Sequence, residues 1–71
     1  MPDDALLRLS WAMTEAVDAE LRLRTAVVRL RTTVAELQAG QPPSIPLSEL
    51  TQQLTQVRDQ LTTIIDVLPQ P

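Results

Sequence analysis

The sequence predicts an all-α fold: an antiparallel helical hairpin with coiled-coil-like seams that assembles into a four-helix-bundle dimer. Three observations predict it. Leu6, Leu9, Met13, Ala16, Glu20, Leu23, Val27, Leu30, Val34 and Leu37 follow alternating three- and four-residue spacing, and only Glu20 breaks the apolar rule. Leu47, Leu50, Leu54, Val57, Leu61, Ile64 and Leu68 resume that spacing without exception. Between the two runs, QPPSIP cannot continue a helix, because Pro42 and Pro43 lack the N–H and restrict the residues before them.

The first helix is expected over about residues 3–39. Asp3 and Asp4 can cap it and suit the positive end of its dipole, while Gly40 suits the left-handed residue that ends it. The corner occupies about residues 40–46 and is short enough to make the helices antiparallel neighbours. The second helix is expected over about residues 47–68, with Ser44 as its N-cap, Pro46 tolerated in the first turn and Pro69 stopping it after Leu68. All 71 residues then form one domain.

The two helices differ in length. At 1.5 Å per residue, helix 1 spans roughly 55 Å and helix 2 roughly 33 Å. Folding back from Gly40, helix 2 is expected to reach only to Ala16 or Val17, so that DDALLRLSWAMTEA projects with Leu6, Leu7, Leu9, Trp11 and Met13 uncovered. An apolar overhang marks a protein-binding surface. Leu6, Leu9, Trp11, Met13 and Val17 are therefore the expected partner-binding residues. The expected partners are a second copy of the chain and a different protein. With Leu6 at heptad position a, Trp11 falls at the outward position f, where an exposed Trp suits an interaction hot spot. Alternatively helix 1 packs differently near its N-terminus and places Trp11 in a bundle core.

Composition narrows the function. A chain of 71 residues buries too little surface to be comfortably stable alone. It has no Cys to form disulfides or thiolate metal sites and no His, the commonest general acid/base and metal ligand. No nucleophile with an adjacent base, Gly-rich phosphate loop or metal constellation can be assembled, so neither enzyme activity nor a cofactor is expected. Four acids could meet across a bundle, but the Glu-x-x-His element of the di-iron bundles is absent. The N-terminal MPDDALL carries acids where a signal peptide needs positive charge, and no apolar run approaches the ~20 residues of a membrane span. A soluble, cytoplasmic protein with no membrane partner is the expectation.

Arg22, Arg24, Arg29 and Arg31 fall within LRLRTAVVRLRTTV, which holds no acid. Arg24 and Arg31 occupy position e and Arg22 and Arg29 position c, about 160° apart around the helix, so they form no single stripe. Position g holds Ala5, Ala12, Ala19, Ala26 and Thr33, and position b holds Leu7, Leu21 and Val28. So wide an apolar arc touches more than one neighbour, and repeated Ala permits close helix approach. Arg24 and Arg31 are expected to lay their stems along apolar surface and meet carboxylates from Glu20, Glu49, Asp59 or Asp66. Asp4 with Arg8, Asp18 with Arg22 and Glu20 with Arg24 form i,i+4 pairs, each worth about 0.2–0.5 kcal/mol. A competing reading uses Arg22, Arg24, Arg29 and Arg31 for phosphate contacts. Against it stand the split faces, the lack of Lys and interleaved aromatics, and a net charge of −3.

Glu20 is the one polar residue on either seam, and with Arg24 and Arg31 it is expected to set pairing and register. It lies either inside an assembled bundle or solvated at its edge, paired to Arg24. The Gln- and Thr-rich run TQQLTQVRDQLTT on helix 2 reads as a solvated face or one meeting further subunits.

The run LQAGQPPSIPLSEL resembles the corner of the small subunit of exonuclease VII, where a helix ends in Gly and Pro-Leu precedes an acidic second helix. The likeness covers fourteen of 71 residues and needs extra residues in the turn. It implies a non-catalytic subunit of a nuclease. In architecture alone, the hairpin is similar to the small co-chaperones that hold needle subunits in type III secretion, which implies a holder of an aggregation-prone partner. The expected function is a non-enzymatic protein–protein interaction module, an assembly adaptor or chaperone-like subunit. The alternative is an accessory nucleic-acid-binding protein or the nuclease subunit.

Overall fold

The computed structural model describes residues 4–68. Two helices, α1 (Asp4–Gln38) and α2 (Leu47–Val67), form an antiparallel hairpin. The described residues form a rod of 61 × 17 × 16 Å, two helices across. Asp4 lies in the first turn of α1, while Asp3 lies outside the described residues.

The corner follows local chemistry. Gly40 has φ 73°, the left-handed conformation that costs Gly least. Its N–H donates to the Leu37 carbonyl at 3.1 Å and the Gln41 N–H donates to the Glu36 carbonyl at 2.8 Å. Those two bonds are a Schellman motif, and they satisfy carbonyls the helix end would otherwise leave free. Ser44 does not cap α2. Pro46 holds the N-cap position without a side-chain bond, and its carbonyl accepts from the Glu49 and Leu50 N–H groups. The Ser44 N–H instead donates to the Glu36 carboxylate at 3.1 Å, tying the corner back to α1. At the far end Leu68 is extended (φ −60°, ψ 142°), as the steric demand of the following Pro69 requires.

The hairpin turns a different row inward from the one the spacing predicts. On α1 the buried residues are Ala12, Ala19, Ala26 and Thr33, the g row, with Ala26 at 0% exposure. On α2 they are Leu50, Val57 and Ile64. Gln60 bonds to Asp18 and Arg29 bonds to Gln53, which fixes the register. Leu50 then lies level with the gap between Ala26 and Thr33, Val57 with the gap between Ala19 and Ala26, and Ile64 with the gap between Ala12 and Ala19. Each branched or long side chain enters a space that small residues leave open. That is why the g row, and not the larger a and d rows, meets α2.

Burial of Ala12 also corrects the length of the overhang. In the register just given, Leu68 lies level with Ala12, four or five residues beyond the Ala16 or Val17 limit expected from helix lengths. In the same register Leu47 lies level with Thr33: the corner, tied to α1 by Ser44 and Glu36, already runs back beside the last turn of α1, so α2 starts and ends further along it. Only the segment before Ala12 projects, and Ala5, on the same row, is exposed.

Candidate interaction surface

With g facing α2, rows c and d flank the contact about 50° to either side. The two flanks differ in chemistry. On the c side, Arg29 donates from Nη1 to Gln53 Oε1 at 2.9 Å and from Nη2 to Glu49 Oε2 at 3.1 Å. Gln60 Nε2 donates to Asp18 Oδ2 at 2.9 Å and to the Glu15 carbonyl at 3.3 Å, and Asp18 also pairs with Arg22 at 3.0 Å. This side is closed by polar links between the helices, and Gln53 and Gln60, read from sequence as part of a solvated or subunit-facing surface, are two of its members.

The d side is apolar and open. Leu9, Met13, Leu23, Val27, Leu30, Val34 and Leu37 of α1 are exposed, as are Leu47, Leu61 and Ile65 of α2. A shallow groove between the helices is lined by Ala16, Ala19, Glu20, Leu23, Val57 and Leu61. A second lies on α1 among Glu20, Leu23, Arg24, Val27, Val28 and Arg31. The a/d seam of α1, expected to face α2, therefore lies at the surface of the single chain. Among the described residues no large side chain is fully buried.

The residues expected to bind a partner are all exposed: Leu6 (60%), Leu9 (50%), Trp11 (40%), Met13 (65%) and Val17 (57%). Leu6 and Leu9 continue the seam beyond the end of α2, while Met13 and Val17 lie alongside α2 on rows turned away from it. Trp11 lies on the polar side of α1, away from that line, and is not in a core of the hairpin.

Glu20 sits on the open face, paired to Arg24 at 3.5 Å, with both side chains well exposed. Of the carboxylates expected for Arg24 and Arg31, Arg24 meets Glu20 of its own helix, and among the described residues neither arginine pairs with Glu49, Asp59 or Asp66 of α2. Turning g inward points row e away from α2, so Arg29 on row c makes the cross-helix bridge. Arg24 and Arg31 instead border the apolar groove on α1. Asp59 pairs with its neighbour Arg58 at 3.2 Å. Among the described residues Asp4 and Arg8 form no ion pair, and neither does Arg31. Three of the four clustered arginines, Arg22, Arg24 and Arg29, thus meet carboxylates of their own chain.

Among the described residues no helix is long and apolar enough to cross a membrane, and no group of three or more His, Cys, Asp or Glu is placed to hold a metal ion. The chain matches no protein-family model, no curated protein and no solved structure.

Proposed function

We propose that this chain is a non-enzymatic protein–protein interaction module, an assembly adaptor or chaperone-like subunit, whose working surface is the open apolar face of the hairpin. One observation carries the reading: α1 buries its small residues, Ala12, Ala19 and Ala26, against α2 and leaves its large ones, Leu23, Val27, Leu30 and Val34, at the surface. A continuous apolar surface of that length is the mark of an interface. Its shape, two parallel ridges with a shallow groove between, suits another helix. The overhang bearing Leu6 and Leu9 extends it.

The nucleic-acid alternative is weaker, since a phosphate would have to compete with Asp18, Glu20 and Glu49 for Arg22, Arg24 and Arg29.

The test is the pair of substitutions Val27→Glu with Leu30→Glu, set beside Arg29→Gln on the polar side. Val27 and Leu30 are each 37% exposed and border the open face without belonging to the buried row. The first variant is expected to abolish association, whether with itself in sedimentation or with a co-purifying protein, while circular dichroism shows the hairpin retained. The second leaves association in place. Association unchanged by Val27→Glu with Leu30→Glu in a folded chain overturns the reading.

A further inference from the structure

The open face has a symmetry that identifies its occupant. On α1 the seam runs from Leu6 to Leu37, with its midpoint between Leu21 and Arg22. On α2 the row Leu47, Leu54, Leu61, Leu68 has its midpoint between Val57 and Arg58. The hairpin register, fixed by Gln60 to Asp18 and Arg29 to Gln53, sets Val57 level with Arg22 and Leu23. The two midpoints therefore coincide to within about one residue, or about 1.5 Å of rise.

A single two-fold axis at that level serves both helices. It places Leu6 opposite Leu37 of a second copy, Leu9 opposite Val34, Met13 opposite Leu30 and Ala16 opposite Val27, an a position against a d position in every layer. The same rotation sets Leu54 level with Leu61, and Leu47 level with Leu68, between the two α2 helices. Around α1 the seam lies about 80° from the g row that holds α2, close to the right angle between neighbours in a square four-helix bundle.

Charge fits the same axis. Glu20, the polar member of the seam, falls level with Leu23 and Arg24 of the second copy. Positions a and e lie on the same side of an antiparallel seam, so each Glu20 can reach the second copy's Arg24 in place of its own. The centre of the interface then holds two acids and two arginines, net neutral. Need points the same way: among the described residues the buried core has only Leu50, Val57 and Ile64 as large members, set against Ala12, Ala19, Ala26 and Thr33, and a second copy enlarges it.

We propose that the open face is covered by a second copy of this chain, α1 antiparallel to α1, with Glu20 of each copy paired to Arg24 of the other. This rests on reading the face as a docking surface and names its occupant. The arrangement leaves Leu7, Leu21 and Val28, on row b, exposed on the outside of the bundle for a further protein.

The chain has no Cys, so engineered thiols report geometry cleanly. Met13→Cys and Leu30→Cys chains, purified separately, mixed and mildly oxidised, are expected to form the mixed disulfide, with little from either alone. Disulfides formed within each single variant and not between them mean a parallel pairing and overturn the geometry. Wild type that sediments as a single chain at every concentration overturns the second-copy proposal. A different protein bound by that monomer and lost with Val27→Glu and Leu30→Glu would leave the docking reading standing, whereas a monomer with no such partner removes both.

Charge exchange tests the centre. Glu20→Arg and Arg24→Glu chains should each self-associate about tenfold more weakly, from like charges brought together. Their mixture should recover to within about threefold of wild type, because mixing restores the pairs between copies while the pairs within each chain stay broken. Equal weakness in the mixture overturns the Glu20 to Arg24 exchange, and circular dichroism of each variant confirms that it is folded. The double variant with both changes in one chain restores both kinds of pair and should associate as wild type.

Discussion

Two rows of α1, about 50° apart, behave in opposite ways. Along g, Ala12, Ala19, Ala26 and Thr33 are buried although each offers little apolar area. Along d, Leu9, Leu23, Leu30 and Leu37 stay exposed although each would gain more from burial. A hairpin joined by a short corner thus selects its inner row by fit. Small residues on one helix receive the large ones of the other, Leu50, Val57 and Ile64. The larger row is left for a neighbour that no corner holds close.

The largest effect is expected from shortening a side chain on α2 that enters the alanine row. Leu50→Ala empties the space between Ala26 and Thr33 and should cost about 2–5 kcal/mol, read by urea unfolding at fixed protein concentration. A loss below about 1 kcal/mol would mean that the Ala row is not the inner face. Ala26→Leu sharpens the contrast from the other side. It adds apolar area where area is not what is wanted, and should still destabilise by about 1–3 kcal/mol through overpacking. Stabilisation by Ala26→Leu would show that the helices stand far enough apart for size to win. The smallest effect belongs to the polar flank. A double-mutant cycle on Arg29→Met and Glu49→Gln should give a coupling of about 0.2–1 kcal/mol, toward the low end because more than half of the Glu49 side chain is exposed to solvent and salt. Raising the salt concentration should shrink it further.

Much of the fold was legible in the sequence. Helix positions, lengths and the corner follow from spacing, prolines and Gly40, each a local property with a local cause. The inward row was not legible from spacing, because a heptad pattern admits the a/d seam and the adjacent g row equally. Choosing between them takes the sizes on both helices together, and the signal was present in Ala12, Ala19 and Ala26 at seven-residue intervals. The inward row also decides the polar contacts. Once g faces α2, row c becomes the bridging flank, so Arg29 reaches Glu49, one of the carboxylates expected for Arg24 and Arg31, while Arg24 keeps Glu20. Gln53 and Gln60 become interhelical donors and acceptors for the same reason. The exposure of Leu6, Leu7 and Leu9 follows from length, a cruder property that survives a wrong choice of row, whereas Met13 lies beside α2 and is exposed because its row turns away.

Trp11 has an optical consequence. It is the only aromatic residue in the chain, so near-ultraviolet absorbance and intrinsic fluorescence come from this one side chain, with no Tyr or Phe behind it. It stands next to Ala12, where the tip of α2 ends, at the opposite end of the rod from Gly40. Its emission therefore reports on fraying at the open end of the hairpin, while far-ultraviolet dichroism averages over both helices. Comparing the two transitions on heating measures whether the rod melts as one unit or unzips from that end, with no label added.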